Sequence, residues 1–523
     1  MHDIAETIMT NFSVKLLVDL LKAYPLQLFF TIAVLHLLRN RFLTGLNRIP
    51  GPAIAAWSAL WRLYDVSKGD AHNTAIALHR KYGPLVRIGP KHVSVGDPAE
   101  IQNIYGLKKG FTKTAFYPIQ CISWNKTPQM NLFSTRDPQY HRDQKKLVAN
   151  AYSMSALIEM ESAVDDCTKL FMSKMAPYAA SGNPVDLGEW LQYYAFDIVG
   201  LFSFNKYLGF LDKGGDVDAM MEGIAGILNY AATIGQIPFA HNFLLGNPLN
   251  PLFFPNMETW NQVLQFTLKA INQRCSIVVN GELEVRKDQV VGKDMLSKWA
   301  SAKLGDPLKM GTREVIVHLS TNVFAGSDTT AIALRAIVYM LLKNPEKLEK
   351  LLKQLDEADA AGLLSDPVKY KETQSHLPYF TAVMKEAMRV HPSVGLLLER
   401  HVPTGGATIC GEYIPAGTIV GINAWVLHND PKVFPNPEKF EPERWLDSPE
   451  EKLQEMERSF FAFGAGSRTC IGKNISLMEM SKIIPQLLRE YKLTLANPDK
   501  SWKTRNMWFV QQSGVDIILE RRK

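Results

Sequence analysis

Apolar positions recur at helical spacing over most of the chain. This pattern predicts helices across residues 155–299, broken over residues 235–255, and one long helix at 312–343. Short β-prone runs surround Gly89-Pro90 and Ser513-Gly514, where they predict two hairpins. Helical patterns therefore dominate the chain, and β-structure is confined to short segments.

The long segment at 312–343 carries one formal charge, Asp328, between residues 314 and 335. Its length is sufficient for a transmembrane helix. Polar side chains such as His318 and Asn322 make it too polar for a bilayer, and we predict a helix through the protein core.

Residues 325–330 read Ala-Gly-Ser-Asp-Thr-Thr within this helix. Gly326 weakens the helix, and the Thr329 hydroxyl can bond the carbonyl of Ala325, four residues earlier. Together these residues predict a local groove. A hydroxyl beside a buried acid, Asp328, suits proton delivery to dioxygen, whereas a helix kink without chemistry is the alternative.

Residues 463–472 read Phe-Gly-Ala-Gly-Ser-Arg-Thr-Cys-Ile-Gly and precede an amphipathic run. This places Cys470 at a predicted helix N-terminus, where the dipole and unpaired N–H groups favour a thiolate. The glycines allow a tight turn, and Arg468 offers a fixed fork for a carboxylate. The combination suits a haem iron that carries propionates, whereas a buried structural cysteine is the alternative.

Composition narrows the classes of protein further. The 523 residues carry a net charge of +6, which suits an acidic partner or an anionic membrane but is too weak and dispersed for nucleic acid. Five cysteines without C-x-x-C spacing argue against a disulfide scaffold or a zinc ribbon and favour a reducing compartment.

The N-terminal segment has the pattern of a membrane anchor. Residues 23–38 are uncharged and mostly apolar, and Arg39, Arg41 and Arg48 follow them, which places the bulk of the chain in the cytosol. A cleavable signal peptide is the alternative. The stiff Ile49-Pro50-Gly51-Pro52 turn then marks a boundary. We therefore predict an anchor and basic flank over residues 1–48 and a body over residues 49–523.

Two pairs of polar residues share a helical face by spacing. Glu386 and Arg389 are three residues apart, and His141 and Lys145 are four apart. Taken alone, such pairs are typical of a solvated helix surface and contribute little stability.

The spacing of Phe463, Gly466, Arg468, Cys470 and Gly472 resembles the haem-ligand signature of the cytochrome P450 family. Three further motifs occur in that family's order: residues 325–330 are similar to its oxygen-activation motif, residues 386–389 to its Glu-x-x-Arg motif, and residues 442–445 to its Pro-Glu-Arg-Trp motif. Residues 391–406 also resemble fungal members similar to pisatin demethylase. The resemblance implies a mainly α-helical fold with small β-sheets, as a single large domain behind the anchor.

The resemblance also implies roles for individual residues. Cys470 would be the proximal ligand of haem b, Phe463 would pack beside the sulfur, and Gly472 would contact the cofactor by letting it approach the backbone closely. Glu386, Arg389 and Arg444 would form a buried structural network behind that loop. Asp328 and Thr329 would deliver protons. The remaining expected contacts are with the haem propionates (Arg468, Arg400, His141 and Lys145) and with the substrate (Ala325, Val394, Leu396, Trp508 and Val510).

The function implied is a haem-thiolate monooxygenase that inserts one oxygen atom of O2 into an apolar small molecule, in fungal secondary metabolism or detoxification. Electrons would come from NADPH through a separate cytochrome P450 reductase, because no flavin or nicotinamide motif occurs in the chain. The expected location is the endoplasmic reticulum membrane, crossed once, with the catalytic domain in the cytosol. Two alternatives remain: a haem-thiolate isomerase or dehydratase that does not use O2, and a non-catalytic haem-binding sensor.

Overall fold

The computed structural model describes residues 24–124, 127–244, 247, 252, 262–274, 276–277, 282–285 and 291–522. The first 23 residues of the predicted anchor and parts of the 235–255 segment lie outside these ranges. Within the described ranges the helices are α1 Pro25–Phe42, α2 Leu60–Ser67, α3 Ala71–Tyr82, α4 Glu100–Tyr105, α5 Pro138–Val148, α6 Met154–Ile158, α7 Glu161–Ser181, α8 Leu187–Phe204, α9 Phe210–Lys213, α10 Met220–Ile234, α11 Pro238–Leu244, α12 Gln262–Asn272, α13 Met295–Gly305, α14 Thr312–Lys343, α15 Pro345–Ala360, α16 Tyr370–His376, α17 Pro378–Val390, α18 Ala424–His428, α19 Arg444–Asp447, α20 Glu450–Ser459 and α21 Lys473–Glu490.

The strands are short and form small sheets, as expected. They are β1 Leu85–Gly89, β2 His92–Val95, β3 Thr112–Lys113, β4 Ile122–Trp124, β5 Thr127–Gln129, β6 Val185–Asp186, β7 Ser276–Ile277, β8 Leu283–Glu284, β9 Arg400–His401, β10 Ala407–Ile409, β11 Glu412–Ile414, β12 Ile419–Ile422, β13 Tyr491–Leu495, β14 Lys503–Met507, β15 Phe509–Ser513 and β16 Asp516–Arg521. The largest sheet has the order β1-β2-β12-β9-β3, and a second has the order β13-β16-β6. The mainly helical prediction is confirmed.

One of the two predicted hairpins is wrong. The chain does turn between β1 and β2 as predicted. At the C-terminus, however, β15 pairs with β14 through a tip at Trp508, and β16 pairs with the distant β13. Apolar alternation indicates a strand without identifying its partner. The pattern therefore does not show that β15 and β16 pair with different strands.

The long helix α14 lies in the protein core, as predicted. Its most extensive packing is against α8, and α8 is itself buried along nearly its whole length. Among the described helices α14 alone has the length and apolarity of a membrane span, and 67% of its most apolar window is buried inside the protein. In contrast, no residue of α1 is buried.

The segment between α1 and β1 is fixed to the body. The Arg87 guanidinium donates to the backbone carbonyls of Asn40 (2.6 Å) and Arg41 (3.3 Å), and Leu46 is fully buried in the apolar cluster under the main sheet. The backbone N–H of Arg87 also donates to the Pro50 carbonyl at 2.7 Å. A side chain at Gly51 would overlap the Arg87 carbonyl, which explains the glycine between the two prolines.

Pro485 lies inside α21, where its missing N–H leaves the carbonyl of Ser481 without a helical partner. The Thr373 hydroxyl, from α16, donates to that carbonyl at 2.7 Å. The proline is therefore accommodated by a hydrogen bond from a neighbouring helix.

Candidate active site

A cavity of about 300 Å³ lies between α14 and the segment that precedes α21. Residues 393–398, the β14–β15 tip and the long 113–133 segment form its other walls. Most of its surface is apolar, and Cys470, Arg468 and Thr329 line it. The cavity therefore brings together residues predicted from two separate motifs.

Cys470 lies three residues before the first residue of α21. Its backbone N–H donates to the Phe463 carbonyl at 2.9 Å, which closes the loop between them. Its sulfur accepts hydrogen bonds from the backbone N–H groups of Gly472 and Lys473. Cys470 is exposed to the cavity, but desolvation by the protein packed around the sulfur outweighs these hydrogen bonds and raises the pKa of the thiol. The helix start is thus in place, and the thiolate needs a further positive partner, which a metal ion can supply.

Glycines shape the loop around this sulfur. Gly464 and Gly466 have φ values of 68° and 66°, in the left-handed region that favours glycine. A Cβ on Gly466 would also overlap the Tyr105 carbonyl. A Cβ on Gly472 would lie 4.0 Å from the sulfur of Cys470, so the chain passes closely beneath the cysteine.

Positive groups converge at one end of the cavity. Lys145 donates to the Ser467 carbonyl at 2.8 Å, and Arg468 donates to the Leu132 carbonyl at 3.1 Å. Arg400 is buried behind the cavity wall, where it donates to the Tyr117 hydroxyl at 3.1 Å. These hydrogen bonds place Arg468, Arg400 and Lys145 among neutral oxygens.

His141 and Lys113 complete this cluster. Burial, followed by the charges of Arg400 and Arg468, lowers the pKa of Lys113 well below its usual value. Burial and the same cationic neighbours lower the pKa of His141 to about 3. Lys113 donates to the Phe133 carbonyl. It belongs to no sequence motif, and only the fold brings it to the cluster.

The cluster fits the carboxylates of a haem. In the described part of the chain, none of its members forms a salt bridge with a protein carboxylate, and Asp137 acts on Arg468 only from beyond ion-pair distance. Among the described residues the cluster therefore lacks an anionic partner in direct contact. Two propionates would supply that partner, and a planar group placed between this cluster and Cys470 would occupy the cavity. The residues present therefore fit the cofactor that the resemblance implies.

The oxygen-activation segment has Ala325, Gly326 and Thr329 on the cavity and Asp328 behind it. Ala325 and Thr329 line the cavity, and the Thr329 hydroxyl donates to the Ala325 carbonyl at 3.0 Å. The backbone stays α-helical throughout α14, so the predicted groove does not arise from a break in the helix. Gly326 instead allows close packing, because a Cβ there would lie 2.6 Å from Val199.

Asp328 is turned away from the cavity, contrary to a simple relay geometry. Its carboxylate accepts hydrogen bonds from the amides of Gln192 (2.6 Å) and Gln511 (3.4 Å). Arg335 donates to the Gln192 carbonyl oxygen at 2.9 Å. Burial raises the pKa of Asp328 to about 6, against these hydrogen bonds and the charge of Arg335. Successive helical residues point about 100° apart, which separates Asp328 from Thr329.

Glu386, Arg389 and Arg444 meet in a fully hydrogen-bonded network. Glu386 accepts from Arg389 at 2.8 and 2.9 Å and from Arg444 at 3.0 Å, and the Trp445 indole N–H adds a bond at 2.9 Å. Arg389 also donates to three backbone carbonyls of the 428–439 segment. The network is buried and lies outside the cavity, so its contacts are those of a structural support.

The predicted substrate residues divide into two groups. Ala325, Val394, Leu396 and Trp508 line the cavity. Val510 does not: it is fully buried, and its side chain packs against Gly395 on the other face of the hairpin. Gln120 and Phe133, which lie between β3 and α5, also line the cavity, and the sequence pattern did not indicate either residue.

Comparisons with known proteins agree with this geometry. The family model described as "Cytochrome P450" matches residues 50–518. A "Cytochrome P450 monooxygenase" of Aspergillus terreus is 38% identical over 478 residues, covering 90% of this chain and 94% of the relative. The monooxygenase cicH of Emericella nidulans is 37% identical, covering 96% and 99%, and a pisatin demethylase of Fusarium vanettenii is 34% identical, covering 93% of each. The chain is a monooxygenase that belongs to the cytochrome P450 family.

Proposed function

We propose that this monooxygenase oxidises an apolar small molecule in fungal secondary-metabolite biosynthesis or detoxification. It would take electrons from NADPH through a separate reductase. The observation that supports this most strongly is the single cavity that joins the Cys470 sulfur, the cationic cluster and the Thr329 hydroxyl between apolar walls. The similar monooxygenases of Aspergillus terreus and Emericella nidulans come from fungi, which supports the fungal setting.

In this proposal Cys470 is the sole protein ligand of the haem iron. Arg468, Arg400, His141 and Lys145 hold the propionates, and Lys113 joins them. When bound, the haem activates dioxygen, which no amino-acid side chain can do alone. Phe463 packs beside the sulfur, and the N–H groups of Gly472 and Lys473 moderate its electron density.

Thr329 donates its own hydroxyl proton to the Ala325 carbonyl, which leaves the lone pairs of Oγ1 on the cavity wall free to accept a hydrogen bond. Through that bond it would hold a proton-donating water in place beside dioxygen. Asp328 acts behind it as a proton reserve, because a group with a pKa of about 6 is partly protonated near neutral pH. To reach the cavity, Asp328 would have to turn away from Gln192 or exchange its proton through water.

We also propose that residues 1–48 form a single-pass anchor in the endoplasmic reticulum membrane and that residues 49–523 form the cytosolic monooxygenase domain. The exposed apolar face of α1 supports this, since Phe29, Phe30 and Leu35 are each more than half exposed. Arg39 and Arg41 follow at the end of that helix, where the inner membrane surface would attract them.

A haem-thiolate isomerase or dehydratase that does not use O2 is the alternative that the sequence pattern left open. The relatives named as monooxygenases favour O2 chemistry over it. The test separates the two reactions.

The test is expression of the full chain with a cytochrome P450 reductase under ¹⁸O2, with Cys470→Ala as the inactive control. We expect new metabolites that carry one ¹⁸O atom, depend on NADPH and are absent from the control. Products formed without O2 or NADPH would favour the isomerase or dehydratase. Full haem incorporation without any conversion would favour a sensor.

A further inference from the structure

Gln120 is a buried polar side chain on an otherwise largely apolar wall of the cavity. It is 5% exposed, and its amide nitrogen has no hydrogen-bond partner. It is one of the residues that line the cavity. An unpartnered buried amide is costly, and such groups are rare in folded proteins unless something absent from the protein itself completes them.

The backbone holds this side chain in a defined place. Gln120 is the last residue of a 3-10 turn, Tyr117–Gln120, and two other residues of the turn pack against the body. The Tyr117 hydroxyl accepts from Arg400, and Ile119 packs with Tyr230 in a small apolar cluster against α10. Gln120 therefore cannot easily leave the cavity to find a partner elsewhere.

Aromatic rings form the wall that includes Gln120's turn. The rings of Phe116 and Trp508 are 5.0 Å apart, those of Tyr117 and Phe133 are 5.3 Å apart, and those of Phe133 and Trp508 are 5.8 Å apart. Phe133 and Trp508 line the cavity itself. Such a wall favours a flat aromatic ligand through edge-to-face and offset contacts.

We propose that Gln120 is a specificity-determining residue that donates a hydrogen bond to an acceptor oxygen, such as a ketone, on an aromatic substrate. The inference rests on the proposed function, because it takes this cavity to be the substrate cavity. Gln120 is uncharged, so it can satisfy a neutral acceptor oxygen without leaving a buried charge unpaired. The aromatic wall orients the ring, and the amide fixes which end of the molecule lies against the Tyr117–Gln120 turn.

The test compares two probes of matched shape, 2-acetylnaphthalene and 2-isopropenylnaphthalene, of which only the first has an acceptor oxygen. Equilibrium dialysis of the full-length ferric holoenzyme gives the Kd of each probe without turnover. The wild type should bind the ketone roughly fivefold more tightly than the alkene, the difference expected from one neutral hydrogen bond. Gln120→Leu should lose this preference without weakening alkene binding.

Gln236→Leu is the matched control. Gln236 is also buried, but its amide nitrogen is satisfied by the Ala232 carbonyl at 2.8 Å and it does not line the active-site cavity. It should keep the ketone preference. Should Gln120→Leu fold poorly, Gln120→Met offers a flexible apolar side chain of similar volume.

Two outcomes would overturn the inference. An unchanged ketone preference in Gln120→Leu would show that Gln120 does not donate a hydrogen bond to the ketone oxygen. Loss of haem from folded Gln120→Leu would place its amide on the cofactor instead. Binding of neither probe by the wild type would count against an apolar substrate cavity, and therefore against the proposed function rather than against Gln120 alone.

Discussion

His428 accepts a hydrogen bond at Nε2 from the backbone N–H of Phe461, with 2.8 Å between the two nitrogens. Its other nitrogen, Nδ1, donates to the Arg389 carbonyl at 3.0 Å. Arg389 belongs to the Glu386 network, and Phe461 begins the segment that carries the Cys470 loop. One buried imidazole therefore connects the structural network to the loop, and it can do so only as the neutral Nδ1–H tautomer.

Replacing this connector should destabilise the fold. We expect His428→Leu to lower the free energy of unfolding by about 3 kcal/mol, because two hydrogen bonds are lost and the Phe461 N–H stays buried. Haem content should fall with it. Urea unfolding of the purified protein, followed by the haem absorption, measures both effects.

The protonation of His428 makes the free energy of unfolding depend on pH. Burial and the charge of Arg389, which Glu386 partly balances, lower the pKa of His428 to about 3. The unfolded chain binds a proton near pH 6.5 and the folded chain does not, so His428 makes stability fall as the pH drops from 6.5 toward 3. Its share between pH 6.5 and pH 5 is about 2 kcal/mol. Urea midpoints at these two pH values should therefore differ less in His428→Leu than in the wild type, and an equal difference would contradict this account.

The Glu386 network should depend on its one shared acid. Glu386→Gln leaves Arg389 and Arg444 buried without a counter-charge, and we expect a loss of about 3–5 kcal/mol of stability. Glu457→Gln is the matched control, because Glu457 pairs with Lys385 at the surface and such pairs contribute less than about 1 kcal/mol. If the unfolding midpoints of the two variants shift by the same amount, Glu386 does not hold a structural network.

Thr329→Ala should separate electron use from product formation. Haem and substrate binding should stay close to wild type, while more of the NADPH consumed should appear as hydrogen peroxide or water. Thr267→Ala is the comparison, because its hydroxyl makes the same kind of bond to the carbonyl four residues earlier, Val263, at 2.7 Å, and it does not line the cavity. The ratio of product to NADPH checks this, and a wild-type ratio in Thr329→Ala would contradict the role of its hydroxyl.

Gln192→Leu should raise the pKa of Asp328 further above its value of about 6, because the hydrogen bond from Gln192 favours the charged carboxylate. Asp328 would then stay protonated to higher pH. The limb of the pH–kcat profile that reports its deprotonation should move to higher pH. Asp328→Asn should abolish that limb, and a limb that persists in Asp328→Asn would belong to another group.

The membrane anchor should be removable without loss of haem. Because Asn40, Arg41 and Leu46 pack against the body, the deletion should end at Leu38 rather than at Arg48. We expect the full chain to sediment with membranes and the shortened chain to be released in part, with its haem content unchanged. A full-length chain that is released by simple lysis would contradict the anchor.

Local motifs could be predicted well from the sequence, because their chemistry depends on residues a few positions apart. The bond from Thr329 to Ala325 and the pairing of Glu386 with Arg389 follow from helical spacing alone. Arg444 meets them although it lies 58 residues beyond Glu386, and only a resemblance to a known family pointed to that contact.

The residues that the sequence did not indicate come from distant segments. Lys113, Gln120 and His428 stand in no motif, and each acquires its role from a neighbour far along the chain. The sequence prediction places Val510 on the cavity, but its side chain lies on the opposite face of β15. Side chains alternate along a strand, and the hairpin tip at Trp508 determines which face meets the cavity. The direction of Asp328 depends on Gln192 and Gln511, which the pattern of α14 alone does not reveal.

The central claim is that Cys470 is the thiolate ligand of a haem. The most direct measurement is the absorption spectrum of the reduced, carbon monoxide-bound full-length protein, for the wild type, Cys470→His and the control Cys410→Ser. Wild type and Cys410→Ser should show the haem-thiolate band, and Cys470→His should lack it even where haem is retained. A haem-thiolate band that persists in Cys470→His would contradict the assignment.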